Sequence, residues 1–225
     1  MSEIETDNIN NKYWLDRWEN NDVENFCQES ANEFLVKHFS KLKIDNNSLC
    51  FIPMCGSSID ILFFLSKNIK VLGVEISEKA VKSFFITNHI EYEVLDQEGY
   101  KCYKGRNVSI YVADVFELPK IAQKLPNITI WYDRGAYIAL PKLLRSRYAE
   151  MMKRVTTKQI QVLLLVMEHD KKVQAPPFSV SQNELMSNFS PDFEFQLIDD
   201  HPREDIPSYR QAEGITFQNY KTYIR

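Results

Sequence analysis

Short apolar runs alternate with segments of helical periodicity through most of the chain. Five runs have the continuous apolar character of buried strands, at 49–54, 70–75, 108–114, 128–133 and 159–168. Each of the first four is followed by a helical or turn-like segment, at 58–67, 77–88, 115–125 and 140–155. Apolar strands that alternate with helices are typical of a parallel sheet covered on both faces. The pattern therefore predicts an α/β fold.

Both ends of the chain depart from this alternation. Residues 1–45 form a mostly helical arm, whereas 193–200 and 215–225 alternate apolar and polar positions, which predicts a final antiparallel pair of strands. No linker rich in glycine, serine or proline divides the sequence. We therefore expect one domain over 1–225. It consists of the arm at 1–45 and, at 46–225, a doubly wound, mostly parallel sheet of about seven strands with helices on both faces.

The composition excludes several classes of protein. The 225 residues are 44% hydrophobic and carry a formal net charge of -4, which argues against a disordered chain. Lysine and arginine form no run, so we expect no nucleic-acid partner. The most apolar stretch, 162–167, is too short to span a bilayer, and 1–10 lacks the pattern of a secretory signal. We therefore expect a cytoplasmic protein without a membrane partner.

The cysteines and histidines give no sign of a disulfide or a metal. The cysteines have no CxxC spacing, which favours four reduced thiols, at Cys27, Cys50, Cys55 and Cys102. The 4 histidines lack the spacing of metal ligands, so we expect no metal site. No long apolar stripe is present that would predict a subunit interface, which favours a monomer.

Candidate chemistry lies at the carboxyl ends of the strands, where open α/β sheets bind ligands. Gly56 follows the first strand and permits a tight turn with close backbone approach. Glu75 ends the second strand, where a carboxylate can accept hydrogen bonds from both hydroxyls of a ribose. The alternatives are an ordinary turn at Gly56 and a structural role for Glu75 beside Ser77. Together the two positions favour a nucleoside site.

The next two strand ends also carry charged residues. Asp114 can accept a hydrogen bond from the exocyclic amine of a nucleobase while the Val115 N–H donates to a ring nitrogen; alternatively, Asp114 caps the next helix. Asp133 and Arg134 follow an apolar strand, where burying charge is costly without a purpose. Arg134 either pairs with Asp133 or holds an anionic substrate.

The glycine pattern narrows the choice of nucleotide. The segment around Gly56 offers one glycine where the dinucleotide motif G-x-G-x-x-G needs three, which argues against NAD and FAD. A ribose-binding acid without a diphosphate loop indicates a single nucleoside with a small charged tail. S-adenosylmethionine fits that description.

These segments, in this order, resemble the thiopurine S-methyltransferase family of class I S-adenosylmethionine-dependent methyltransferases. The resemblance covers nearly the whole chain, and its GVEIS, DRGA and PPFSV motifs are specific. The matching segments are YWLDRW (13–18), Phe26 and Gln28, FIPMCGSSIDILFF (51–64), VLGVEISEKAV (71–81), YVADVFELP (111–119), WYDRGAYIALP (131–141), RYAEMM (147–152) and PPFSV (176–180).

The resemblance implies a Rossmann-like fold, a helical N-terminal lid and a role for each matching residue. S-adenosylmethionine is the implied cofactor and S-adenosylhomocysteine the product. The implied cofactor-binding residues are Trp14, which closes over the cofactor, Met54, Gly56, Glu75, Asp114, Val115 and Arg134. The implied substrate-binding residues are Phe26, Pro177 and Phe178. Arg134 lies between cofactor and substrate, where we expect it to favour an anionic acceptor while Asp133 orients it.

Several positions depart from the family pattern. Ser57 replaces a lysine and Cys27 a histidine, and both changes bear on the choice of acceptor. The leading hypothesis is methyl transfer to the sulfur of a small aromatic or heterocyclic thiol. The alternatives are a methyltransferase for another small nucleophile (selenium or tellurium species, halide or thiocyanate) and a non-catalytic relative that binds adenosyl ligands.

Overall fold

The computed structural model describes residues 2–97, 99–122 and 127–225. Within these ranges nine strands form one mixed sheet. Their bounds are β1 (Leu49–Pro53), β2 (Lys70–Glu75), β3 (Glu93–Gln97), β4 (Tyr100–Lys104), β5 (Val108–Val112), β6 (Ile130–Arg134), β7 (Gln161–His169), β8 (Gln196–Pro202) and β9 (Gln218–Ile224).

The sheet has a parallel centre with an antiparallel pair at each edge. Its order is β3-β4-β5-β2-β1-β6-β7-β9-β8. The five strands from β5 to β7 are parallel, whereas β9 runs antiparallel to both β7 and β8. This arrangement confirms the predicted α/β fold and its C-terminal antiparallel pair.

Helices cover both faces of the sheet. One hydrophobic core packs α5 to α8 on one face, and a second packs α2 to α4 on the other. The bounds are α1 (Glu3–Glu19), α2 (Glu33–His38), α3 (Asp60–Ser66), α4 (Glu78–Thr87), α5 (Leu118–Ala122), α6 (Ala136–Ala139), α7 (Lys142–Val155), α8 (Gln182–Phe189) and α9 (Ser208–Ala212). No helix in the described ranges is long and apolar enough to cross a membrane.

The sheet has nine strands in the described ranges, two more than the count of about seven that the sequence predicts. Strands β3 and β4 form an antiparallel hairpin at one edge, and β3 is largely exposed. An edge strand with little buried surface needs no apolar run, so the apolar pattern does not reveal it. The predicted helical segment 115–125 begins as a 3-10 turn at Val115–Glu117 and continues as α5, and its last residues lie outside the described ranges.

Candidate cofactor and acceptor site

Two adjoining pockets open at the carboxyl ends of the central strands. The inner pocket lies at the ends of β1, β2 and β6 and after β5, beneath α1. The outer pocket continues from it along β7 and β9. Trp14, Phe26, Cys27 and Arg134 are among the residues that line both. The sequence-predicted residues that line the inner pocket are Trp14, Phe26, Met54, Gly56, Glu75, Asp114, Val115 and Arg134.

The turn after β1 passes through the left-handed region of the backbone at two positions. Met54 and Gly56 both have positive φ, 46° and 54°. A Cβ atom on Gly56 would also lie 3.0 Å from Cζ2 of Trp18. Conformation and close packing therefore both favour glycine at position 56, and the turn brings its backbone directly under α1.

The Glu75 carboxylate is buried and organises the floor of the inner pocket. Its Oε2 accepts a hydrogen bond from the Gly56 N–H and its Oε1 from the Ser77 N–H, each at 2.8 Å. Burial raises the pKa of Glu75, while these backbone donors lower it. Glu75 therefore has the structural role beside Ser77 that the sequence left open as an alternative. Because a carboxylate has about four acceptor positions, the two oxygens still have lone pairs for hydroxyl donors.

Asp114 also has a structural role next to the pocket. Its Oδ1 accepts from the Phe116 N–H at 2.8 Å and so caps the 3-10 turn after β5. Its Oδ2 accepts from Nδ2 of Asn11 in α1 at 2.5 Å. Val115 is buried beside it and lines the inner pocket. Asp114 is therefore a cap, as one of the two expectations had it, and it also lines the inner pocket, while its contact with a nucleobase stays a prediction.

Helix α1 covers the inner pocket and is held in place by a few polar contacts. Besides the bond from Asn11 to Asp114, Nη1 of Arg147 lies 2.7 Å from Oδ2 of Asp7. Trp14 and Trp18 lie one helical turn apart and pack edge-on against the ring of Phe26, at centroid distances of 5.3 and 5.4 Å. Trp18 is buried against the glycine turn, while Trp14 lines both pockets.

Arg134 ends β6 at the junction of the two pockets. Its Nη1 donates to the Phe26 carbonyl at 3.2 Å. Three other arginines line the outer pocket, and two of them pair with carboxylates: Arg17 with Asp22 at 3.0 Å and Arg210 with Glu213 at 2.8 Å.

The remaining arginine of the outer pocket, Arg203, donates a hydrogen bond to the Tyr220 hydroxyl at 2.6 Å. Arg134 differs from the two paired arginines because no carboxylate in the described residues lies within ion-pair distance of it. The pocket junction therefore carries a positive charge that is free to meet an anion.

Asp133 lies on the opposite side of β6 from Arg134, since successive strand residues face opposite ways. Its Oδ1 accepts from the N–H groups of Ala136 and Tyr137 at 3.1 Å, and its Oδ2 accepts from the Tyr148 hydroxyl at 2.6 Å. Complete burial raises its pKa to about 6. Instead of orienting Arg134, as the sequence had led us to expect, Asp133 holds the start of α6 and a tyrosine of α7.

The expected substrate residues separate into two groups. Phe26 and Pro177 line the outer pocket. Phe178 does not line either pocket; its N–H donates to the Ile138 carbonyl at 2.8 Å, and its ring lies under the Arg145 guanidinium. The outer wall instead includes residues that sequence reasoning missed: Gln28, Ile138, Met167, His201, Arg203, Arg210 and Tyr220. The charged segment 203–210, which follows a strand, is the sequence signal that points to this wall.

Comparisons with known proteins find relatives that match nearly the whole chain. The model of the family described as thiopurine S-methyltransferase matches residues 9–224. A thiopurine S-methyltransferase of Francisella tularensis subsp. tularensis is 63% identical over 225 residues, covering 100% of this chain and 98% of that protein. One of Shewanella pealeana is 32% identical over 213 residues, covering 93% and 96%. The chain belongs to the thiopurine S-methyltransferase family.

Solved structures support the fold of this family member. A methyltransferase dependent on S-adenosylmethionine from Anabaena variabilis superposes with a TM-score of 0.63 at 13% identity, covering 95% of this chain and 93% of that one. The 1,6-didemethyltoxoflavin-N1-methyltransferase of Burkholderia thailandensis, solved with 1,6-didemethyltoxoflavin and S-adenosylhomocysteine, gives a TM-score of 0.61 at 12% identity, covering 100% of this chain and 91% of that one. This thiopurine S-methyltransferase family member is therefore an enzyme that uses S-adenosylmethionine and a small-molecule acceptor.

Two of the departures from the family pattern lie at the pockets. Ser57 lines the inner pocket, and Cys27 lines the wall that both pockets share. Burial raises the pKa of the Cys27 thiol, although the charge of Arg134 lowers it. Cys27 thus places a small neutral thiol beside Arg134, where the family's histidine would be bulkier.

Proposed function

We propose that this enzyme transfers the methyl group of S-adenosylmethionine to the sulfur of a small aromatic or heterocyclic thiol, leaving S-adenosylhomocysteine. The observation that carries the proposal is the charge of Arg134, which has no carboxylate partner among the described residues and lies where the two pockets meet. The thiopurine S-methyltransferases at 63% and 32% identity support the same class of acceptor.

The inner pocket fits the adenosyl cofactor. Glu75 retains free lone pairs for ribose hydroxyls, and Asp114 with Val115 lies where a nucleobase edge would approach. Met54 and Gly56 form the wall for the amino-acid end, and Trp14 covers the ligand from α1. When bound, this cofactor supplies an electrophilic methyl group on a sulfonium.

The acceptor is placed by Arg134 and an aromatic wall. A guanidinium stabilises a thiolate against its protonated form, so the acceptor proton leaves to solvent before transfer and no dedicated base is needed. Phe26 and Trp14 exclude water from the junction, and they limit the acceptor sulfur to a short in-line approach. With both ligands bound, Arg134 would hold the acceptor as its thiolate, and the cofactor would supply the methyl group and leave as S-adenosylhomocysteine.

The outer pocket favours an organic acceptor over a small inorganic one. Besides Arg134, its wall includes aromatic and apolar side chains such as Phe34, Ile138 and Tyr220. A halide, thiocyanate or a simple selenium or tellurium anion would leave most of this surface uncovered. An aromatic ring would bury it.

A panel of acceptors tests the proposal. Methyl transfer from radiolabelled S-adenosylmethionine is measured with 6-mercaptopurine, thiophenol, phenol as the oxygen analogue of thiophenol, iodide, thiocyanate, selenite and tellurite. We expect both organic thiols to be methylated and phenol to be inert. Transfer to the inorganic acceptors alone, or to none of the panel, would contradict the proposal. The cytoplasmic location and the monomeric state stay predictions.

A further inference from the structure

A buried carboxylate connects three segments that build the site. Asp60, the first residue of α3, is only 1% exposed. Its Oδ1 accepts from the Asn32 N–H at 2.7 Å, and its Oδ2 accepts from the Tyr132 hydroxyl at 2.9 Å. Its own N–H donates to Oγ of Ser58, in the turn that lines the inner pocket, at 3.2 Å.

The first connected segment is a strap, residues 20–31, which links α1 to α2. The strap has no helix or strand of its own, yet it carries Phe26 and Cys27, which line both pockets. At its start, Nη2 of Arg17 lies 3.0 Å from Oδ1 of Asp22. At its far end, the backbone of Asn32 is held by Asp60. Asp60 therefore fixes one end of the wall against which the acceptor would rest.

The second connected segment is the end of β6. Tyr132 and Arg134 are two residues apart on this strand and so face the same side of the sheet. Tyr132 lines the inner pocket and is itself buried, with its ring packed against Phe64 at a centroid distance of 5.3 Å. Because Asp60 binds both the Tyr132 hydroxyl and the strap, one side chain sets the position of the strap relative to the strand that carries Arg134.

We propose that Asp60 is a positioning residue that aligns the strap with Arg134 for acceptor binding. The inference rests on the proposed function, because that function places the acceptor between Phe26 and Arg134. Asp60 is absent from the lining of both pockets. Its effect is therefore indirect: without it the strap end is released, and the position of Phe26 and Cys27 relative to Arg134 then depends on the weaker support of the bond from Arg134 to the Phe26 carbonyl.

Two substitutions of Asp60 compare removal of its carboxylate with a conservative replacement of it. Asp60→Leu keeps the branched shape, with a larger volume, and removes both acceptor oxygens, whereas Asp60→Asn keeps one oxygen to accept from the Asn32 N–H. We expect Asp60→Leu to raise the acceptor KM about tenfold or more, since displacement of a positioning group by a fraction of an ångström has effects of this size. The affinity for S-adenosylhomocysteine should change much less, and Asp60→Asn should recover most of the acceptor KM.

The matched control is Tyr148→Phe. It removes another buried tyrosine–aspartate hydrogen bond to β6, that of Tyr148 with Asp133, on the opposite side of the strand and outside both pockets. This variant should lose thermal stability as the Asp60 variants do, while its acceptor KM stays at the wild-type value. A purely structural role for Asp60 predicts the same KM in all three variants.

Hydrogen exchange of the strap gives a second readout that is independent of activity. We expect faster amide exchange in a peptide covering 20–32 for Asp60→Leu, and no change there for Tyr148→Phe. If Asp60→Leu does not fold, Asp60→Ala, which also removes both acceptor oxygens, carries the same comparison. An unchanged KM together with unchanged strap exchange would overturn the inference. An inactive wild type whose strap still responds to Asp60 would instead overturn the proposed function.

Discussion

The Glu75 carboxylate serves the fold with some of its lone pairs and leaves others for a ligand. Its two oxygens accept from the Gly56 and Ser77 N–H groups, and the residue is buried at the end of β2. If the free lone pairs receive the ribose hydroxyls, Glu75→Ala should weaken binding of S-adenosylhomocysteine by about 10- to 100-fold. Charge-assisted hydrogen bonds contribute about 1.5–3 kcal/mol, which corresponds to this range.

Calorimetric titration of wild type and Glu75→Ala measures that loss. The control is Glu78→Ala, because Glu78 belongs to the adjacent helix α4 but contacts Lys101 and Tyr103 outside the inner pocket. Wild type should bind S-adenosylmethionine and S-adenosylhomocysteine but not NAD. Equal affinities of the two variants for S-adenosylhomocysteine would show that Glu75 does not bind the cofactor.

Asp133 gives the protein a specific dependence of stability on pH. Burial raises its pKa from 3.8 to about 6, so the folded state binds a proton more tightly than the unfolded state does. Its contribution to stability is therefore full below about pH 4 and is lost as the pH rises through about 6. A shift of this size corresponds to about 3 kcal/mol.

Denaturant unfolding between pH 4 and pH 7 measures the effect. The unfolding free energy of Asp133→Asn, relative to wild type, should increase over this interval by up to about 3 kcal/mol. Asp170→Asn is the control: bonds from the Thr216 hydroxyl and nearby N–H groups hold the pKa of Asp170 at about 2, so its difference from wild type should stay constant above pH 4. A flat difference for Asp133→Asn would show that this carboxyl titrates normally.

Sequence reasoning finds residues at strand ends more easily than it finds their partners. Glu75, Asp114 and Arg134 were predicted because they follow apolar strands, and all three line the inner pocket. The contact of Asp133 with Tyr148 joins a strand to a helix, which spacing along the chain does not reveal. Asp60 carries no motif signal of its own, since its importance depends on two distant segments that meet only in the fold.

At the scale of elements, α1 is the least anchored part of the site. It buries few residues, chiefly Thr6, Asn10 and Trp18, and its contacts to the rest of the chain include the polar pairs of Asp7 and Asn11. A ligand in the inner pocket would add contacts to the lining residues of this helix. We therefore expect amide exchange across 3–19 to slow when S-adenosylhomocysteine binds.

Exchange measured by mass spectrometry with and without ligand checks this expectation. Helix α8 is the internal control, because it packs into the core and lies outside both pockets. Its protection should not change. Equal exchange in α1 with and without a saturating ligand would show that the helix is not a lid.

The elements that the sequence predicts are those with strong apolar patterns. Strands β1, β2, β5, β6 and β7 are buried on both faces, and each appears in the sequence as a continuous apolar run. The hairpin of β3 and β4 is partly exposed at the edge, and the short helix α9 has five residues. Neither element buries enough surface to give a periodic pattern in the sequence. Contacts with the rest of the fold therefore determine where they form.

At the scale of the whole molecule, the two pockets act as one site because they share a wall. The inner pocket, where we propose that the cofactor binds, is built by the parallel centre of the sheet, and the outer pocket, which we propose for the acceptor, by β7, β9 and the strap. The charge on Arg134 lies where the two sides meet, and its bond to the Phe26 carbonyl links it to the strap. This arrangement predicts that Arg134 acts on the acceptor more than on the cofactor.

The most direct test compares acceptor kinetics with cofactor affinity in Arg134→Ala. We expect kcat/KM for an aromatic thiol to fall at least about 100-fold, while the Kd of S-adenosylhomocysteine rises by less than about tenfold, because a charge that favours a buried anion contributes several kcal/mol. Arg154→Ala, an exposed change on α7 outside both pockets, should match wild type in both measurements. Equal losses of acceptor kinetics and cofactor affinity in Arg134→Ala would contradict the account.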